Sequence, residues 1–407
     1  MGGAPQQQFS IHGDVNGHAT WDRRVPEHRG FSAGRRRRGT AVAAPWTFKE
    51  RPSGRRPGLL LGLGVLFAWS GLQAVVGEGF PKTSVPRFEL VWERQADPRA
   101  QDNKPNIEDG ITVECVEFSP DGKCVAAGTG LGEVKLYNTD DGTPVRTYVY
   151  ATDPQDETRT HFKRIEVESI AFSTDGRLLA AGGNGKGIKV FRVGDGEVVQ
   201  AFELRGEVDG MSMSPCGRFF AHASRHEVAV RKIGDWEIVH SVPHDPPEGK
   251  TINSIDFTKD GHYMISAGMW GRVIITDTQG WRELRTCLAG RVSTIKSTRL
   301  SPDGRYLAVG YGGRQVVVFR FDDASVVKEI PMAVYIEAVA WTADGRYLLA
   351  GGRDEGMLHV FASGEWAEIA AVPAQKHSSV EYIDTFGDLI IVGGEDGCIR
   401  LFRVHTG

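Results

Sequence analysis

At 407 residues, with 40% apolar and 25% charged residues, the chain has the composition of a globular protein and not that of a disordered one. Its net charge of -4 is unevenly spread: residues 1–57 hold eleven Lys/Arg against four Asp/Glu and residues 58–77 hold none, so the remainder carries -11. An acidic folded part is a poor candidate for gripping nucleic acid, and no nucleic-acid partner is expected.

Residues 1–57 show neither helical nor alternating periodicity, are rich in Gly, Gln, Pro and Arg, and include the run Arg35 to Arg38. They read as a disordered basic leader, or as residues outside the mature protein. Arg55-Arg56-Pro57 then precedes twenty uncharged residues, 58–77, with an apolar centre from Leu59 to Trp69 and small residues at Val75-Val76-Gly77. Positive flank, apolar centre and small-residue end make up an export signal, and twenty such residues also suffice for a membrane anchor. The glycines at 58, 62, 64, 71 and 77 make a buried core helix the poorest of the three readings. The expectation is an exported (periplasmic or extracellular) or membrane-anchored protein, tethered through 58–77 if anchored, and a cytoplasmic one if that segment targets nothing.

Residues 78–407 form the folded domain. Phe88-Glu89-Leu90-Val91-Trp92 is a short alternating strand in a linker. From Ile111 onward one plan repeats. An alternating strand leads into Phe118-Ser119-Pro120-Asp121-Gly122, which returns from Phe172, Met213, Phe257, Leu300 and Trp341, with a worn copy from Ile383 to Gly387. Each tetrad makes a tight turn, Asp bonding nearby backbone and Gly supplying a positive φ. A second strand follows, with a small residue ten positions past each anchor: Gly128, Gly182, Ala223, Ala267, Gly310, Gly351 and Gly393. A third strand ends in most units on an aromatic, as at Tyr137, Phe191, Phe319, Phe361 and Phe402, and a polar turn leads to a fourth. The anchors are 54, 41, 44, 43, 41 and 42 residues apart, the spacing of propeller blades, with an insertion at Ala151 to Lys163. The seventh unit stops after its third strand, and residues 88–92 can supply the fourth and close the ring. The predicted fold is all-β: a seven-bladed β-propeller of four-stranded antiparallel blades, the last completed by an N-terminal strand.

These units resemble WD40 repeats of a divergent, bacterial-type form, over about 330 residues from Phe88 onward. They depart from the pattern in lacking both the Gly-His pair ahead of the first strand and the Trp-Asp pair; Tyr137-Asn138, Phe191-Arg192 and Phe319-Arg320 stand in the latter's place. The hydrogen-bonded tetrad of typical members is therefore expected to be absent, leaving apolar packing to join the blades. The resemblance implies a non-catalytic interaction platform, binding a protein or peptide partner on the face where the loops between second and third strands gather, and a monomer. The alternative is a propeller enzyme of lactonase or quinoprotein type with its site at the channel mouth.

Loop positions give the candidate binding residues: Asp156, Arg159 and His161 in the insertion, and Arg225, His226, Trp270, Tyr311 and Arg353 in turns. No cofactor, metal or catalytic set is expected. His222 and His226 lack a third ligand, Gly182 to Lys186 lacks the rest of a phosphate loop, and the repeated Asp residues belong to turns. The five cysteines fit no metal spacing and read as buried free thiols rather than a Cys115–Cys124 disulfide. Trp236, Trp281 and Trp366, after the turns that follow the third strands, are expected to cover apolar blade edges on the opposite face.

Overall fold

Short β-branched and aromatic runs cut by glycine-bearing turns leave no stretch long enough for a packed helix, and each run becomes a strand. The computed structural model describes residues 85–96, 112–152, 165–185, 187–204, 206–224, 226–244, 251–288, 293–376 and 378–405. Among these there is no helix, and 28 strands form seven four-stranded antiparallel sheets. Calling the strands of each blade a to d from the axis outward, blade 1 is Val113–Phe118, Cys124–Thr129, Glu133–Asn138 and Pro144–Val149. Strand a of every blade touches strand a of the next, and Val113–Phe118 touches Val380–Phe386 of blade 7, so the ring is closed.

Blade 7 is completed as expected. Arg87–Gln95 pairs antiparallel with Cys398–His405, from Arg87↔His405 to Gln95↔Cys398, with a bulge between Leu90 and Trp92. The added strand also fastens blade 7 to blade 1: Trp92 is buried and donates from Nε1 to Thr139 O at 2.7 Å, while Arg94 Nε donates to Gly142 O at 2.8 Å. The worn seventh tetrad differs from expectation. Strand a runs through Phe386, and Gly387-Asp388 reverses the chain in two residues, Gly387 at φ +58°.

The small-residue column has a packing cause. A Cβ on Gly393 would run into Val113 and Val116 of blade 1, because the next blade's strand a lies directly over that backbone. Apolar cores fill the seams between blades, as where Val113, Val116 and Phe118 meet Ile391, Ile399 and Leu401. Burying six such side chains at roughly 1.5–3 kcal/mol each outweighs a missing tetrad whose hydrogen bonds net about 1 kcal/mol apiece.

In the a–b turns, Ser173 Oγ donates to Asp175 Oδ1 at 2.6 Å and accepts from Leu178 N at 2.9 Å, and the same bonds recur at Ser119, Ser301 and Thr342. In the c–d turns, Trp236, Trp281 and Trp366 stand at positive φ where blades 1 and 2 carry Gly142 and Gly196. Their rings pack edge-on against Phe220, Phe219 and Trp341, which holds the strained backbone in place.

All five cysteines are free. Cys115, Cys287 and Cys398 are buried, but Cys124 is only half-buried and Cys216 is exposed, because it occupies the turn position held by Asp in other blades.

Candidate functional site

Strand a of each blade lines the central channel, entering from the face of the b–c and d–a loops and leaving at the a–b turns. In blades 1, 4, 5, 6 and 7 it carries one bulge, and the extra residue is Glu114, Asn253, Lys296, Glu337 or Glu381. A bulge re-aims the side chain it carries, here at the axis. Blades 2 and 3 place Glu168 and Asp209 just before their shorter strands, four residues ahead of the anchor as in blades 1, 4, 5 and 6. The loop-face end of the channel thus holds five carboxylates, one amide and one ammonium. Three residues on, toward the turn face, lies a second ring: Glu117, Ala171, Ser212, Asp256, Arg299, Ala340 and Asp384. Between the two, Arg299 Nη2 donates to Tyr382 Oη at 2.9 Å, joining blades 5 and 7.

The upper acids feel one another across the channel. Burial and then the charges of Glu114, Asp209 and Glu166 push the Glu168 carboxyl up to about 10. Burial and then Glu207 raise Asp209 to about 6, against the opposing pull of Lys296. Glu381 is raised by burial, then by Glu337, Glu114 and Glu395. Burial works against the charge of Lys296, yet Glu337, Tyr335, Glu381 and Asp209 together raise its pKa, and its Nζ lies 3.7 Å from Glu337 Oε2. Two cations serve this end among the described residues, Lys296 and Arg353; Arg353 pairs with Glu337 and stacks over the Tyr335 ring at 4.6 Å.

Of the residues chosen from the sequence, Arg353 therefore joins the acidic mouth, half exposed. His226 and Trp270 are half-buried in the b–c turns of blades 3 and 4, and His226 O accepts from His244 N at 2.7 Å. Tyr311 is a correction. Strand b of blade 5 runs on to Tyr306–Tyr311, and its ring is fully buried in the seam with blade 4, where the hydroxyl donates to Gly271 O at 3.4 Å. Asp156, Arg159, His161 and Arg225 lie outside the described residues, as do 1–57 and 58–77. The acidic rings were missed because each acid looks ordinary in its own strand; setting the repeats under one another puts them in one column. Acids do converge on the axis, but among the described residues no three His, Cys, Asp or Glu lie close enough to hold a metal ion.

The ring, the Asp-Gly turns and the strand shared between the two ends of the domain define a seven-bladed β-propeller. A family model described as "WD domain, G-beta repeat" matches residues 108–138, 153–192 and 236–277, so these three segments carry WD40 repeats. It is similar to Protein HIR1 of Gibberella zeae, 21% identical over 265 residues, 60% of this chain and 23% of that protein. It is also similar to Protein hir1 of Schizosaccharomyces pombe, 21% over 268 residues, 63% of this chain and 26% of that one. Telomerase protein component 1 of Rattus norvegicus is 27% identical over 254 residues, 61% of this chain and 9% of its own length. The chain thus spans about a quarter or less of these relatives. Among solved structures, the Myceliophteria thermophila Cps50 (Swd1) β-propeller domain superposes with a TM-score of 0.59 at 19% identity, covering 72% of this chain and 96% of that one; the likeness is one of fold.

These relatives correct one expectation and leave a second without support. HIR1 proteins and a telomerase component overturn the exported or membrane-anchored placement, and among the described residues no helix is long and apolar enough to cross a membrane. They are fungal and mammalian, so they lend nothing to a bacterial type.

Proposed function

We propose that this propeller is a non-catalytic interaction platform whose loop face receives a protein or peptide partner, and that the partner offers lysine or arginine side chains to the acidic channel mouth. The observation that carries the reading is the ring of Glu114, Glu168, Asp209, Glu337 and Glu381, five carboxyls set against two cations, Lys296 and Arg353; burial and mutual repulsion keep protons on Glu168 and Glu381 that an arriving cation displaces. Carboxylates held close together at a cost gain most when a cation arrives from outside. Rigid blades presenting loops suit a scaffold, and the relatives carry a matching segment inside longer chains. Phosphate-bearing partners meet repulsion at the same place.

Fluorescence anisotropy with a lysine/arginine-rich peptide and an acidic peptide of equal length tests this. The basic peptide binds, and binding weakens as salt rises from 50 to 200 mM (roughly the range over which screening of exposed charges becomes strong). Equal binding of both peptides, or none, overturns it.

A further inference from the structure

At the turn-face end of the channel the second ring opens into a cavity of about 310 Å³. Its charged groups are Glu117, Asp256, Asp384 and Arg299; blades 2 and 6 add only Ala171 and Ala340 to the ring, and blade 3 adds Ser212. Phe118, Phe172, Met213, Phe257 and Phe386 also line it, alongside Ser119 and Thr385.

We infer that this cavity binds a small alkylammonium ion, its ammonium among the three carboxylates and its methylenes against the aromatic wall. One guanidinium faces three carboxylates here, and it is already engaged: Arg299 Nη2 donates to Tyr382 Oη at 2.9 Å and Nη1 to Thr298 O at 3.1 Å. Asp384 Oδ2 accepts from Phe118 N at 2.8 Å and Asp256 Oδ1 from Phe257 N at 2.8 Å. Glu117 Oε1 has only a long bond from Phe172 N, 3.4 Å, and Oε2 is buried with no hydrogen-bond partner. A buried oxygen left this way has lost its water without a replacement, which a donor from a ligand supplies. A metal ion does not fit the arrangement, because the carboxylates come from blades 1, 4 and 7 and no three such ligands among the described residues are close enough to share one. An ammonium needs no such closeness, because its three N–H groups can each meet a different carboxyl. Burial first, and for Glu117 the neighbouring Asp384, raises all three carboxyls, so the cavity takes up protons that an entering cation displaces. This site lies apart from the loop-face mouth and does not rest on the partner proposed there.

Isothermal titration of the full chain with n-butylammonium chloride, n-butanol and magnesium chloride at neutral pH provides the test. Butylammonium binds saturably with proton release, seen by repeating the titration in two buffers of different ionisation heat; butanol and magnesium do not. Glu117→Gln weakens binding at least about tenfold, the loss of one hydrogen bond to a charged group, and Asp323→Asn, in an exposed c–d turn away from both rings, leaves it unchanged. Ser212→Leu, which fills the cavity without removing charge, weakens it as well and stands in if Glu117→Gln fails to fold. Spermidine and the capped peptide Gly-Lys-Gly separate the sources: tighter spermidine binding assigns a free polyamine, tighter peptide binding a lysine side chain. No saturable butylammonium binding, equal binding of butanol, preference for magnesium, or wild-type affinity in both Glu117→Gln and Ser212→Leu overturns the inference.

Discussion

Asp175, in the turn of blade 2, and Asp209, at the channel of blade 3, carry the same carboxylate and titrate in opposite directions. Asp175 accepts from Ser173 Oγ at 2.6 Å and Arg177 N at 3.0 Å, which hold its carboxyl below the usual range. Asp209 is half-buried with Oδ1 out of solvent and unpartnered, and burial and then Glu207 push its carboxyl up to about 6. The turn brings its own donors with each repeat, so its acid is a structural part. The channel brings fewer donors: Thr251 serves Asp209 on one side and nothing meets Oδ1, so burial and Glu207 outweigh what the carboxyl accepts.

The largest effect expected from that contrast is on binding. Replacing Glu114, Glu168 and Glu381 together by Gln weakens the basic peptide at least about 100-fold, several charge-assisted contacts being lost at once; anisotropy reads it. Replacing Asp175, Asp303 and Asp344 by Asn leaves that affinity unchanged.

Next in size is a gain of stability. A carboxyl raised from 3.8 to about 6 keeps its proton in the folded chain where the unfolded chain has lost it, so its contribution falls as pH rises through that window and stays low above it. Each pH unit between the folded and unfolded pKa is worth about 1.36 kcal/mol. Asp209→Asn therefore stabilises the propeller by about 3 kcal/mol at pH 7.5 and by almost nothing at pH 4. Denaturant melts of wild type and variant across pH check this. Taking the difference removes His222, which burial lowers to about 4 and whose contribution is lost as pH falls from 6.5.

A smaller loss follows at the turn. Asp175→Ala costs about 1 kcal/mol, since the two bonds it accepts are largely open to solvent, and the loss shrinks as pH falls below 3.8, where the unfolded chain's carboxylate takes up a proton before the native one does. Urea midpoints at pH 7 and 3 resolve it. Smallest is Arg192→Ala: its pairs with Asp195 and Glu197 are exposed, and thermal melts are expected to show no resolvable change.

The fold was legible in the sequence because its signals are local and repeated. The Asp-Gly turns, the small residue ten positions on and the missing last strand each follow from backbone geometry, and together they fix seven blades and a shared closing sheet. The binding residues were less legible because exposure depends on where a strand stops. Tyr311 was placed in a turn, but strand b continues far enough to bury it. Arg353 was read as an exposed loop residue, and only the fold brings Glu337 beneath it. The channel acids lay in view as a column, but one carboxylate in an alternating strand reads as a solvated face until the ring directs all seven strands at a common axis.

The clasp between Arg87–Gln95 and Cys398–His405 has a bearing on biosynthesis. Gln95 and Cys398 are 303 residues apart. At about 5–20 residues per second, the first strand waits roughly 15–60 s for its partner to leave the ribosome. Throughout that interval the sheets already made expose an unpaired edge and an open seam. The ring can therefore close only once the last strand emerges, and a chain cut short before Cys398 leaves blade 7 without its third and fourth strands.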